Sequence, residues 1–422
     1  MANTKYSHAF LVGCFNGDLK SENLEKEWKL DKKTKEDYAL FLSIYYQSHV
    51  DAMIEANSQI NKPDFLKDVH HYIYSFPQKD QNVVLTLHKG SDQIDYKFRF
   101  INLHLYLFPL GINLVGIEID DTGVDLDDLT FAHGKLINWE ENITDIEENI
   151  NPKSTFMPLT NLLGGQKLSS LIKDGNNMKI FQIVQCEDDA PDDKLLFEIA
   201  TFSPINSVGE NTSNSHSTEY FKEIMKENSV STFYNWKALS LVDSFTILGG
   251  KGFDSWQWEN MYYPLIYLRC ILEKTYCFSR NNAYRLGQDK DLKELSKEIS
   301  EMEKYYFYNK FSYNFQPNLV YESMVKGLDV KTEREELSKQ IKEKTKQYNE
   351  KKKEREERRR NIITLELSVL TVFSIAWDLC SLIKDAFTGC CINPTARIIF
   401  YLSLIVIVFL VIYIFFINKK EE

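Results

Sequence analysis

No phosphate-binding loop, nucleophile elbow, His-Glu-x-x-His pair or Cys-x-x-Cys couple occurs in this sequence. Their absence removes the ready-made signatures of nucleotide hydrolysis, acyl transfer and zinc chemistry, and the expectation is a protein that is not an enzyme. The opening Met-Ala-Asn-Thr-Lys-Tyr-Ser-His has no basic stretch, apolar core or small-residue cleavage site, so the N-terminal part is expected to stay in the cytoplasm. Cysteine is sparse, and Cys14, Cys186, Cys270 and Cys277 are scattered without metal-type spacing, which suits reduced core thiols. Basic charge is also short. The net charge is −11, and because residues 342–360 hold ten basic and five acidic side chains while 361–422 hold four and five, residues 1–341 carry −15. Coating nucleic acid needs clustered Lys and Arg, so no direct nucleic-acid partner is expected.

What is present is hydrophobic length at the C-terminal end. Residues 398–417 form an apolar run without a charge, interrupted only by Ser403, and about 20 such residues cross the hydrocarbon core of a bilayer as a helix. Residues 362–383 are also apolar and of spanning length but contain Glu366 and Asp378. At about 100° per residue, Thr364, Ser368, Thr371, Ser374, Asp378, Ser381 and Asp385 fall in a sector of about 140°. An Asp facing lipid costs about 2.5–3.5 kcal/mol even on the lenient insertion scale, so this stripe is expected to face protein or water. Lining a cation pathway and packing against the neighbouring helix are both open to it. A pore built from one such helix per chain requires a homo-oligomer with the stripe turned to the axis.

Lys351-Lys352-Lys353 and Arg358-Arg359-Arg360 precede the first span and Lys419-Lys420 follow the second, whereas the connecting loop is poor in basic residues. That asymmetry places both termini in the cytoplasm and the loop outside, at the cell inner (plasma) membrane. Cys390 and Cys391 in that loop are open to an inter-subunit disulfide, a reduced pair or lipid modification.

Residues 328–361 lack proline and glycine and are dense in Glu, Lys, Arg and Gln, which predicts a stalk helix with Val330, Leu337, Ile341 and Tyr348 as its apolar seam. Joined to the first span it makes one helix of about 55 residues, about 80 Å long. Upstream, the pattern predicts an aromatic-rich helix over 256–278, kinked at or beginning from Pro264, and a charged helix over 289–315 that ends before Pro317. Residues 10–13, 82–88, 94–108, 112–119, 179–186 and 195–202 read as strands, and 24–57, 126–143 and 217–228 as helices. The fold class is therefore α+β: a cytoplasmic α/β sheet domain over 1–245, a helical hairpin over 246–327, the stalk over 328–361, a first span over 362–385, an outer loop over 386–397, a second span over 398–418 and a tail over 419–422.

Two ligand-binding readings arise in the sheet domain and the hairpin. Gly249-Gly250-Lys251-Gly252 sits just ahead of an aromatic helix and could let backbone amides approach an anion, with Trp256 and Trp258 placed to stack on a base; a tight turn into a core helix is the plainer reading. The acidic groups at Asp120, Asp121, Asp125, Asp127 and Asp128, and at Glu187, Asp188, Asp189, Asp192 and Asp193, match no calcium-loop spacing and read either as solvated loops or as divalent-cation sensors. His70-His71 reads as surface, and Asn161 to Lys167 is a weak glycine-containing segment.

The order of parts resembles the CorA family of divalent-cation channels. Where that family carries Gly-Met-Asn at the outer end of its first span, this chain reads Lys384-Asp385-Ala386-Phe387-Thr388-Gly389-Cys390-Cys391-Ile392-Asn393-Pro394. In lacking that filter it looks more like the divergent CorA-like proteins that accompany some type III CRISPR systems, which look like membrane effectors opened by a nucleotide messenger, in some cases a conjugate of S-adenosylmethionine and AMP (SAM-AMP). The resemblance implies a homopentamer, with Asp378 and Asp385 in place of the filter, and an antiviral ion channel. A housekeeping Mg²⁺ transporter and a membrane-tethered enzyme or adaptor are the other expectations.

Overall fold

A computed structural model describes residues 4–15, 29–30, 69–78, 81–89, 92–137, 178–186, 190–212, 215–287, 291–307 and 310–387. The chain divides into two units, Met1–Ile341 and Lys342–Glu422.

In the first unit the described residues build one ten-stranded sheet: β1 (Tyr6–Phe15), β2 (Lys29–Leu30), β3 (His70–Ser75), β4 (Asn82–Lys89), β5 (Asp92–Phe108), β6 (Ile112–Asp120), β7 (Lys179–Gln185), β8 (Ser229–Val230), β9 (Trp236–Ser240) and β10 (Ser244–Gly249). Their order is β2-β3-β5-β6-β1-β7-β10-β9-β8, with β4 paired off this path to β5. The β7–β10 pair is parallel and the other pairs are antiparallel.

Alternation along the strands sorts apolar residues onto two faces. Phe10, Tyr106, Leu114, Phe181, Phe245 and Ile247 point into a core shared with the helices that follow the sheet in sequence, while Ala9, Leu11, Leu105, Ile117 and Ile180 point into the opposite one. The second face is covered in part by α1 (Leu126–Ile137), and α2 (Asp193–Thr201) and α3 (Thr218–Asn228) close a third cluster with Val184, Leu239 and Leu248.

The expected strand over 195–202 is a helix, α2. A short apolar run does not tell helix from strand by itself. Here the ends decide: Asp192 accepts a hydrogen bond from the Leu195 amide, and Phe202 stops the helix in the left-handed region with its amide on the Glu198 and Ile199 carbonyls. The expected helix over 24–57 lies outside the described residues except Lys29–Leu30, which form β2, and 138–143 also fall outside. Strands β3, β8, β9 and β10 have no counterpart among the expected strands.

On the first face, a π-helical segment, Trp258–Tyr267, runs directly into α4 (Leu268–Arg285). Pro264 lies inside it, so the expected kink is met by widening the turns, which relieves the clash and lost donor that proline imposes on an α-helix. The expected charged helix over 289–315 is shorter, α5 (Leu292–Tyr305), and Pro317 stands in the first turn of a separate helix, α6 (Phe315–Gly327). A proline is tolerated there because the first-turn amides have no intrahelical acceptor. Gly327 allows α6 to lie on β9: a Cβ at that position would come within 2.4 Å of the Ser240 backbone.

After Leu328 and Asp329, the latter at φ 56°, α7 (Val330–Phe387) runs unbroken for 58 residues. The stalk and the first expected span are thus one helix, long and apolar enough to cross a membrane. Of the predicted seam, Val330 and Leu337 are buried and Ile341 packs on the core, whereas Tyr348 is exposed. The outer loop from residue 388, the second span and the tail lie outside the described residues.

Candidate functional site: an aromatic cavity and the foot of the long helix

Three separate stretches of the first unit meet around a cavity of about 660 Å³: the turn before β9 with the first residue of that strand (Phe233, Asn235, Trp236), the segment after β10 (Gly252, Phe253, Asp254, Gln257, Trp258, Met261, Tyr262) and the start of α6 (Asn314, Phe315, Gln316, Pro317). Trp258 stands edge-on to Trp236, with ring centroids 4.9 Å apart, and edge-on to Tyr262 at 4.7 Å. These three rings are buried and form the floor. Phe233 and Phe315 belong to the same wall yet remain 55% and 67% exposed. Burial raises the pKa of the Tyr262 phenol, against a hydrogen bond with Gln316, so it stays a neutral hydroxyl.

The glycine run lies beside this cavity. Gly252 lines it and Trp258 forms its floor, while Gly249, Gly250, Lys251 and Trp256 are not among its walls. Gly249 ends β10, where a Cβ would meet the Phe253 ring at 2.4 Å. The Gly250 amide donates to the Asn235 carbonyl at 2.8 Å, and the Gly250 carbonyl accepts from the Phe253 amide and from Gln185. Those groups are committed to a turn. Trp256 is 42% exposed, and its amide donates to Asp254 Oδ1 at 3.0 Å.

The helix that supplies the floor also grips the foot of α7. Buried Arg269 donates from Nε to the Tyr306 carbonyl at 2.6 Å and lies 4.6 Å above the Tyr321 ring. One turn on, buried Glu273 accepts from Arg334 on α7. Asn281 donates to Glu333 Oε2 at 2.8 Å, and Arg285 pairs with Glu336 at 2.5 Å. Lys274 donates to the Leu328 carbonyl at 2.6 Å, at the turn where α7 begins.

Two polar networks lie elsewhere in the sheet. On the first face, Glu118 accepts from His8 at 2.9 Å, from His104 at 3.1 Å and from Asn102; His71 bonds His104 at 3.0 Å, and Tyr6 joins His8 to Glu259. Burial opposes charge on Glu118, but the two histidines outweigh it and hold its pKa well below the usual carboxylate range. On the other face, buried Asp121 takes hydrogen bonds from Tyr96 at 2.5 Å and from His133 at 2.6 Å, and His133 meets Gln182 at 2.6 Å. His71, expected at the surface, is partly buried, and nothing in the sequence links it to a strand 33 residues away.

The acidic group around Asp120 is used structurally: Asp120 pairs with Arg99, Asp125 accepts from the Asp127 amide and Asp127 from the Ile205 amide. Asp192 caps α2 and Asp193 pairs with Lys237; Glu187, Asp188, Asp189 and Asn161 to Lys167 lie outside the described residues. No cluster of three or more metal-ligating side chains occurs among the described residues. Cys186, Cys270 and Cys277 are buried without a disulfide, and burial pushes the Cys270 thiol up to about 12.

In the second unit, Thr364, Ser368, Thr371, Ser374, Asp378 and Ser381 are exposed on α7, which also carries Asp385. Ser368 Oγ donates to the Thr364 carbonyl and Thr371 Oγ1 to the Leu367 carbonyl, both at 2.7 Å. Around the same helix Leu367, Leu370, Phe373, Ile375 and Trp377 are exposed, Trp377 to 78%. No family model, no curated protein and no solved structure matches this chain.

Proposed function

We propose that this chain is a ligand-gated ion channel of the plasma membrane, of the CorA-like kind that opens in response to a nucleotide messenger such as SAM-AMP and serves as an antiviral, type III CRISPR-associated effector. The observation that carries the reading is the continuity of α7. Its foot is held by Glu273, Asn281 and Arg285 of the helix that runs on from the cavity floor, and its far end carries the hydroxyl and carboxylate stripe. A ligand that shifts the Trp258–Tyr267 segment shifts Glu273, and Arg334 follows. The apolar residues exposed between 362 and 379 call for lipid or for further copies of the chain around them. A homo-oligomer turns the stripe toward a shared axis, and a pentamer is the number the resemblance implies.

The test is ion flux from liposomes holding the full chain and an internal ion-sensitive dye. Flux should appear on addition of a nucleotide messenger, and Asp378→Ala and Asp385→Ala should change its rate or ion preference. Flux that no nucleotide alters, or conduction unchanged in both variants, would sink the gating and the pore assignments respectively. Growth rescue of a Mg²⁺-transport-deficient strain without any messenger would move the reading to a housekeeping transporter.

A further inference from the structure

The cavity's own walls state what charge its occupant carries. Six of them are aromatic, Phe233, Trp236, Phe253, Trp258, Tyr262 and Phe315, and every π face presents a negative quadrupole. Among the described residues lining it, Asp254 is the one acidic residue, and no lysine, arginine or histidine joins it. The amides of Asn235, Gln257, Asn314 and Gln316 supply hydrogen-bonding edges. A helix begins at this rim, and its free amides and positive dipole end would ordinarily draw a phosphate. Here the Asp254 carboxylate already occupies that end, accepting from the Trp256 amide at 3.0 Å, and the Gly250 amide is spent on Asn235.

We propose that this cavity binds the planar heteroaromatic part of a ligand, in a neutral or positively charged form, and excludes phosphate and carboxylate. The ring stacks against Phe233 and Phe315, whose large exposed areas it covers, and its polar edge meets the amides. Positive charge on the ring or beside it is held by the π faces and by Asp254. For a nucleotide messenger this assigns the base to the cavity and leaves the phosphates outside it. The assignment of the cavity as the gating site rests on the channel reading, but its charge preference does not.

Three probes of one size separate the possibilities: 1-methylquinolinium, quinoline and 2-naphthoate, titrated into the full chain in detergent and followed by quenching of tryptophan fluorescence, since Trp236 and Trp258 line the cavity. The cation should bind about five- to tenfold more tightly than quinoline, with naphthoate weakest. Asp254→Asn should bring cation and neutral probe to within about twofold, and Phe315→Ala, at a largely exposed position, should weaken both alike. Naphthoate binding as tightly as the cation, a cation preference that survives Asp254→Asn, or no quenching by any probe overturns the proposal. Flux gated by nucleotides with no probe bound in the cavity leaves the channel reading standing and removes this one; the expected order of probes in a chain that never conducts does the reverse.

Discussion

Glu273 and Asp378 are both helical carboxylates, and they live in opposite settings. Glu273 is fully buried and sits between Arg269 and Arg334, whereas Asp378 is exposed on a helix whose large apolar side chains are exposed beside it. In the first unit these buried carboxylates meet partners from other elements: Glu273 meets Arg334 of α7, Asp121 meets His133 of α1, and Glu118 meets His8 of β1 and His104 of β5. The α7 segment beyond Ile341 instead satisfies hydroxyls within its own turns, as Ser368 and Thr371 do. In water that arrangement is wasteful, because Leu367, Phe373 and Trp377 gain nothing from exposure. In hydrocarbon it is what a helix requires. The contrast teaches that one continuous helix joins a packed foot to a stretch long and apolar enough to cross a membrane.

The sharpest way to break the contrast is to delete each carboxylate. Glu273→Ala leaves a buried Arg269 beside a second guanidinium with no anion between them, and should cost about 3–5 kcal/mol. Denaturant unfolding of the full chain in detergent, followed by tryptophan fluorescence, should show the midpoint fall steeply. Asp378→Ala should move the same midpoint by less than about 0.5 kcal/mol and register in flux alone. Equal destabilisation by the two changes would mean that residues 362–387 share the packed environment of the first unit. Next in size is Gly327→Ala, where the new Cβ would strike the Ser240 backbone, which cannot swing aside as a side chain can. Overpacking of this kind costs about 1–3 kcal/mol, measurable by the same unfolding curve.

Local rules made much of the first unit readable. The alternation in 94–108 and 112–119 marks β5 and β6, and Ser217 before 218–228 marks a capped helix. Where two signals competed, periodicity was the weaker. Residues 195–202 carry strand-like Leu, Phe and Ile, but Asp192 three residues before Leu195 is the capping signal that decides. The cavity was half visible: Trp258 and the glycine run announce a turn and an aromatic helix. Phe233 and Phe315, over 80 residues apart in sequence, are brought to one wall by the pairing of β9 with β10 and by the seat of α6 on β9, and no local pattern encodes that. The absence of a basic residue among the described walls is likewise a tertiary fact, since Lys251 is next in sequence to a lining glycine and is not itself a wall.

A smaller effect sharpens the comparison through pH. Burial disfavours charge on His8, but the hydrogen bond and charge of Glu118 outweigh it and raise its pKa above the ordinary 6.5. A raised histidine contributes its full stabilisation below 6.5 and loses it as pH rises through the folded value. The depressed carboxyl of Glu118 contributes above the ordinary carboxylate range, so it is constant over the same window. The unfolding midpoint should therefore decline as pH rises above 6.5 through the folded value, and His8→Gln should flatten that decline. A slope unchanged in His8→Gln would place the sensitivity elsewhere.

The smallest expected effect is at Ser368 and Thr371. Each hydroxyl donates to the carbonyl four residues back, a bond that slightly weakens or bends a helix rather than holding it up. Ser368→Ala and Thr371→Val should consequently leave the unfolding midpoint within about 0.5 kcal/mol of the parent. Their consequence should appear in conduction: with its donor turned back on the helix, each hydroxyl presents oxygen lone pairs outward, which suits a passing cation and not an anion. Bi-ionic potentials across vesicles should show the Ser368→Ala, Thr371→Val double variant losing cation preference while remaining folded. If cation preference is untouched and both positions instead tolerate leucine without loss of flux, the hydroxyls serve helix geometry and the stripe's function reduces to its carboxylates.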